Sequence, residues 1–318
     1  MTTVVSLGAH IVDVLGRPVE VLPDGQVVAL VDEIRATAAG TAAGTSVDLA
    51  KLGANVIAIG AVGDDDLAGL LAAMLSRHGV DVSRLVRKPH AQTSASLLPI
   101  RTDGERLPIH CIGANGELEL EDVDLDVVAS AGFLHYGGAF TLTKLDGEPA
   151  ARLLAHAREH GVVTTMDMLG FRGPEMLELL SSCLPFVDYL MPNYEQGRRL
   201  TGLDSPSEIA AELLRRGAGT VVLKQDSQGS LLATTGGEER IPAYEVAVVD
   251  STGCGDAYCA GFIVGLSLGW EPREAARLGS AAGALVATGL GSDAGIVDLE
   301  QTIDFMRTAP VRETASVA

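Results

Sequence analysis

From residue 130 onward the chain alternates short apolar runs with stretches of helical spacing, and this alternation constrains the fold more than any other feature. "GFLHYGG" reads as a strand and "DGEPAARLLAHAREHG" as a helix with a glycine stop. The strand "VVTTMDM" precedes "GPEMLELLSSCL", a helix with Pro174 in its first turn. "FVDYLMP" leads to the helix "SPSEIAAELLRRGAG", where Ser205 and Glu208 make a capping box around Pro206. "TVVLK", "GSLLAT" and "EVAVVD" follow as strands. Strands joined through helices imply an α/β fold: a doubly wound, mainly parallel sheet with helices on both faces.

The first 120 residues add a second pattern. "MTTVVSLGAHIVDVLG" lacks the basic segment and long apolar run of a signal peptide and reads as a first strand. "RPVEVLPDGQVVALVDEIRATAAG" and "QTSASLLPIRTDGERLPIHCIG" look like strand pairs around the turns Asp24-Gly25 and Asp103-Gly104. They interrupt two helical stretches, "GTSVDLAKLGAN" and "DDDLAGLLAAMLSRHG". A small separate sheet, acting as a lid, is expected from insertions near 17–38 and 92–114 of one domain spanning 1–310. Residues 311–318 read as a loose tail.

Charge narrows the partners. With 23 basic and 42 acidic residues the net charge is −19, which disfavours nucleic acid and anionic lipid and requires any polyanion to bind at a local, metal-assisted site. No apolar run is long enough for a membrane span. Cys111, Cys183, Cys254 and Cys259 show no CxxC spacing, so reduced thiols in a cytoplasmic protein are expected.

The segment "DSTGCGDAYCAGF" carries the chemistry. Glycines before an apolar helix let backbone N–H groups converge on the positive end of the helix dipole, a nest for an anion. Asp256 at its edge would stay ionised and could take a proton from a hydroxyl; a tight turn capped by an aspartate is the plainer alternative. Cys254 reads as small filler, since no histidine lies near it in sequence. "HAREH" matches an inverted zinc-protease pattern, but Gly161 follows as a helix stop, and His156 and His160 then sit at a helix C-terminus without a third ligand. No Walker A sequence occurs, and "GLGSDAG" does not open a first βα unit.

The same segment resembles the C-terminal signature of the ribokinase-like (PfkB) carbohydrate kinases, D-[ST]-x-G-[AC]-G-D-x-[FY]. Further matches follow in the family's order. "SLGAHIVDVLG" resembles the first strand with its substrate aspartate, here Asp13, and "AGTAAGTSVDLAKLGANVIAIGAVGDDDLAG" resembles the N-terminal signature. "RTDGERLPIHCIGAN" is similar to the lid hairpin, "LMPNYEQGRRLTG" to the N-x-x-E region, and "TVVLKQDSQGSLL" to the nucleotide-binding strand pair. The resemblance spans residues 3–305. It implies ATP-dependent phosphorylation of a sugar, with Asp256 as catalytic base and Gly253, Cys254 and Gly255 as the hole for the γ-phosphate. It sets Asp13, Gly40, Thr41 and Gly44 at the sugar, Asn193 near the phosphates and Mg²⁺, and Lys224, Asp226, Gly229 and Gly255 at the nucleotide.

Departures from the pattern qualify these expectations. Gly44 stands where the family has a sugar-binding asparagine, and Gln196 where a Mg²⁺-linked carboxylate is usual, leaving the adjacent Glu195 as the metal candidate. Asp226 stands where the family has a glycine. By resemblance, Asp250, the Thr252 carbonyl and Gly291 within "TGLGSDAG" would hold K⁺, and the lid would pair two chains as a homodimer. No Phe, Trp or Tyr precedes Phe133, leaving His90 and His110 as the lid's rings for stacking on a base, and Thr41 stands where phosphosugar kinases often carry lysine. An unphosphorylated sugar or sugar acid, phosphorylated on a primary hydroxyl, is therefore the expected substrate. A nucleoside kinase, or a catalytically weak sugar-binding homologue, is the alternative.

Overall fold

Alternate residues of the first strand, Thr3–Gly8, face opposite helix layers, and that period of two organises the protein. Val4, with Ala58 and Phe133, packs against the helices Ala43–Lys51, Asp66–Arg77, Cys254–Ser267, Pro272–Val286 and Leu299–Thr308. Val5, with Ile59 and Leu134, packs on the other side against Glu148–Glu159, Glu175–Ser181, Tyr194–Thr201 and Pro206–Arg215. The computed structural model describes residues 2–25, 28–106, 108–170 and 175–312. Pro174 lies outside them.

Among the described residues the main sheet has nine strands. Their order is Gly237–Ile241, Ser230–Thr234, Thr220–Lys224, Tyr189–Leu190, Val163–Met168, Phe133–Ala139, Thr3–Gly8, Asn55–Val62 and Asp81–Arg87. All pairings from Thr220–Lys224 to Asp81–Arg87 are parallel, and the first two strands complete the edge antiparallel. This is the expected doubly wound architecture. "EVAVVD" is the exception: residues 245–250 form no strand, and Glu245 N bonds Pro310 O while Val249 N bonds Ala287 O.

The smaller sheet takes the order Glu33–Ala39, Ile11–Arg17, Ala95–Pro99, Ile109–Cys111. The expected first strand is thus split, with Asp13 on the small sheet rather than the main one. The Asp103-Gly104 turn closes as expected, with Gly104 N donating to Arg101 O at 3.1 Å. Around Asp24-Gly25 the described residues form a loop, and the strands it joins begin well away from it. Register sorts the small sheet's side chains: Asp13 lies beside Thr37 and Ser96, and Ser96 beside His110, all on the inner face. On the outer face lie Ile34, Leu97 and Ile109, 71%, 55% and 54% exposed. The sheet's own apolar core is Leu15, Leu98 and Ile100, closed by Leu290 from the main body.

Val311 and Arg312, expected in the loose tail, instead pair with the main chain at Tyr244 and Ala243, and residues 313–318 lie outside the described ones. No helix among the described residues is long and apolar enough to cross a membrane.

Candidate active site

Parallel strands in open α/β sheets point their carboxyl ends at the ligand crevice. Here a cavity of about 630 Å³ lies at those ends, roofed by the inner face of the small sheet. Asp167 and Met168 end one strand, Asn193 follows another, and Lys224 ends a third; the roof contributes Asp13, Ser96, Arg106 and His110.

The glycine-rich segment forms the cavity's anion end. Gly253 caps the helix Cys254–Ser267 at φ 81°, and a Cβ there would lie 2.5 Å from Ser292 Cα, so only glycine fits. No side chain caps this helix start, which leaves first-turn N–H groups facing the cavity. The Asp256 carboxyl faces the same space. Burial, reinforced by the Asp167 carboxylate, pushes its pKa up to about 7, so the permanently ionised aspartate expected from sequence becomes one that titrates near neutrality. Burial pushes the Cys254 thiol up to about 12, which fits filler and not a nucleophile.

Gly44 does not line the cavity. It sits behind Asp256, where an added Cβ would lie 2.5 Å from Asp256 Oδ2. Its position is a notch for the aspartate rather than a sugar contact. Gly40 and Thr41 do line the cavity, as does Asp13, whose pKa burial raises to about 6 against the lowering effect of a Ser96 hydrogen bond.

Lys224, Asp226 and Gly229 also line the cavity. Lys224 Nζ donates to Asp167 Oδ2 at 2.7 Å, both nearly fully buried. Burial works against the ammonium, but the Asp167 charge outweighs it and keeps Lys224 protonated. The ammonium also passes within 3.3 Å of where a Cβ on Gly255 would be, so it stands beside the anion end.

Asn193 caps the helix Tyr194–Thr201 in a reciprocal box: Asn193 Oδ1 accepts from Gln196 N at 2.8 Å, and Gln196 Oε1 from Asn193 N at 2.9 Å. Gln196 lines the cavity and donates to Met168 O. Glu195 is turned away: it is exposed and paired with Arg198 and Arg199, so it does not serve a metal in the cavity. Among the described residues no group of three His, Cys, Asp or Glu could hold a metal by itself. Mg²⁺ is commonly held by one or two carboxylates, waters and substrate phosphates. Asp167 and Asn193 carry oxygens on the cavity wall that accept from Lys224 Nζ, Met168 N and Gln196 N and still have lone pairs left, and they fit that kind of site.

Of the groups expected at a monovalent ion, Asp250 accepts hydrogen bonds through both carboxylate oxygens. Asp250 Oδ1 accepts from Thr252 N at 2.9 Å and Thr252 Oγ1 at 2.7 Å, and Asp250 Oδ2 from Gly291 N at 2.9 Å. Leu290 O accepts from Arg35 Nη1 at 2.6 Å, and Asp293 O accepts from Lys51 Nζ.

The structure therefore gathers Asp13, Gly40, Thr41, Asn193, Lys224, Asp226, Gly229, Thr252, Gly253, Cys254, Gly255 and Asp256 around one cavity and leaves Gly44, Glu195, Asp250 and Gly291 outside its lining. Sequence reasoning missed Asp167 and Arg106. An acid at the carboxyl end of an apolar strand was the available signal for Asp167; for Arg106 nothing local exists, since its position depends on how the lid hairpin folds back. Arg106 donates to Ser251 Oγ at 2.8 Å. The zinc pattern also resolves: His156 Nε2 lies 3.2 Å from Leu125 O and His160 Nδ1 2.9 Å from His156 O.

The family model for pfkB family carbohydrate kinases matches residues 1–298. An ATP-dependent ribose-1-phosphate kinase from Halopiger xanaduensis is 30% identical over 292 residues, 90% of this chain and 92% of its own. An ATP-dependent 6-phosphofructokinase from Thermoanaerobacterium thermosaccharolyticum is 27% identical over 267 residues, 82% of this chain and 81% of its own. Among solved structures, Arabidopsis thaliana ribokinase complexed with ribose and ATP superposes with a TM-score of 0.80 at 24% identity, covering 96% of this chain and 98% of that one. With the fold, the cavity and a match across nearly its whole length, the chain belongs to the pfkB family of carbohydrate kinases.

Proposed function

We propose that the protein transfers the γ-phosphoryl group of ATP to a hydroxyl of an unphosphorylated sugar acid. The observation that carries the choice of a sugar acid is Arg106. It lines the cavity from the lid, and among the described residues it forms no ion pair, whereas Lys224 is committed to Asp167. A guanidinium can hold one carboxylate through two parallel hydrogen bonds. The cavity wall also carries Asp13, Asp167 and Asp256, a setting that disfavours a dianionic sugar phosphate. The lid sequence carries no Phe, Tyr or Trp, and the His110 ring is hydrogen-bonded to Ser96, which argues against a nucleobase.

In this reading Asp13 accepts hydrogen bonds from two sugar hydroxyls, and Asp256 takes the proton of the attacking one. The first-turn N–H groups at Gly255 and Asp256, with Lys224 beside them, stabilise the transferring group's charge. Asp167 and Asn193 would hold Mg²⁺, which neutralises phosphate charge when bound. The outer lid face, with Ile34, Leu97 and Ile109 exposed, is assigned to a second copy of the chain. The free cysteines support work in a reducing, cytoplasmic compartment.

ADP release should be measured with 2-keto-3-deoxygluconate, ribose, fructose, a sugar monophosphate and adenosine. The sugar acid is expected to lead in kcat/KM by about tenfold or more, the worth of a hydrogen-bonded charge. Arg106→Met should erase that lead while sparing neutral sugars. A neutral sugar, sugar phosphate or nucleoside in first place would overturn the assignment.

A further inference from the structure

Cys259 is wholly buried and follows Asp256 by about one turn of the helix Cys254–Ser267. Its Sγ donates to Asp167 Oδ2 at 3.4 Å and accepts from Lys224 Nζ at 3.6 Å. Lys224 Nζ donates to that same Asp167 oxygen at 2.7 Å, so thiol, ammonium and carboxylate close a triangle. Met168 N donates to Asp167 Oδ1 at 2.8 Å, which pins the carboxylate from its other side. Burial, with the Asp167 charge adding to it, holds the Cys259 thiol well above its ordinary pKa, so it keeps the proton it donates. A thiol is a weak donor, and an ionised acceptor is what strengthens its hydrogen bond.

Counting donors shows what the thiol decides. An ammonium has three N–H bonds and no lone pair. Those of Lys224 go to Asp167 and to Cys259, and one is left over on the cavity wall beside Gly255. With Asp167 as its only partner the ammonium would be free to rotate about that bond; a second fixed partner stops the rotation and gives the remaining N–H one direction. We propose that Cys259 is a positioning residue, orienting Lys224 so that its remaining N–H meets the phosphoryl group being transferred. The role differs from that of Cys254, whose thiol stands on the cavity wall as filler.

The inference rests on the kinase reading where rates are measured, so one arm uses the protein alone. The infrared spectrum should contain an S–H band displaced to lower frequency, the mark of a hydrogen-bonded thiol, that either Cys259→Ser or Cys259→Ala removes. A Cys259 band at the frequency of an unbonded thiol would overturn the proposal whatever the substrate. Serine and alanine are close in volume and only serine keeps a donor, so their comparison separates hydrogen bonding from packing. Cys259→Ala should lower kcat about tenfold, roughly the worth of one hydrogen bond, with KM for the sugar within about twofold. Cys259→Ser should recover most of that loss. Equal kcat in the two variants, or an alanine variant as active as the parent, would overturn the positioning role. In a Lys224→Met background Cys259→Ala should cost little more, and a further loss of about tenfold there would overturn action through Lys224.

Discussion

Asp256 sets the pH dependence of the reaction. Its carboxyl titrates at about 7 in the folded protein because burial and the Asp167 charge disfavour ionisation. As the base it must be deprotonated, so log kcat/KM should rise with pH and level off above this value. A flat profile down to pH ~5 would move the proton to another group. Asp256→Asn should lower turnover by roughly two to four decades while both substrates still bind; more than about a tenth of wild-type kcat would remove the base assignment. Asp48, one helical turn beyond Gly44, bears on stability instead. It is wholly buried, and among the described residues neither carboxylate oxygen has a hydrogen-bond partner. Burial raises its pKa well above the ordinary 3.8, Lys51 opposes the shift, and Asp256 and Asp293 add to it. The folded state therefore keeps a proton that the unfolded chain loses above that ordinary value, and stability falls as pH rises toward the folded pKa. Asp48→Asn mimics the protonated acid, so its gain in melting temperature should be larger at pH ~8 than at pH ~5. Equal gains at both would exclude ionisation as the cause.

At the level of elements, the decisive contact is between the helices Ala43–Lys51 and Cys254–Ser267. Thr45 Oγ1 lies 3.3 Å from Asp256 O, and Gly44 leaves room for the Asp256 carboxylate. Gly44→Ala would push that carboxylate off line; a misplacement of ~1 Å costs about a hundredfold, so kcat should drop by one to two decades with KM for the sugar little changed. An unaltered kcat would show the notch to be idle. This contact explains why sequence reading misplaced Gly44. Motif position tells which residue is unusual, whereas the partner filling the space is about 200 residues away in sequence. Strands were legible where apolar runs lie inside the sheet, as in "VVTTMDM" and "TVVLK". "EVAVVD" has the same composition, yet Val246 and Val248 line the cavity and Val248 is 58% exposed. Its valines face a ligand space, so tertiary context overrode β-propensity. Glu195 and Gln196 illustrate a finer limit: consecutive helical residues point about 100° apart, and only the capping box decides which one enters the site.

For the whole molecule, the outer lid face makes association the first question. Ile34→Glu together with Leu97→Glu would place charges on that surface, and light scattering should then give a monomeric mass where the parent gives a dimer. A parent that is itself monomeric at micromolar concentration would remove the assignment. The lid also meets the main body through side chains from separate segments: Arg17 reaches Val249 O, Arg35 the Leu290 and Asp293 loop, and Arg106 Ser251. These contacts matter because, among the described residues, the lid's own apolar cluster is Leu15, Leu98 and Ile100 with Leu290 lent by the body. Such a unit opens before the rest of the protein does. Its amide hydrogens should exchange with solvent as one cooperative group, faster than those of the central parallel strands. Sugar bound beneath it should slow that exchange more than nucleotide does, so the protein's breathing would itself report which half of the cavity is filled.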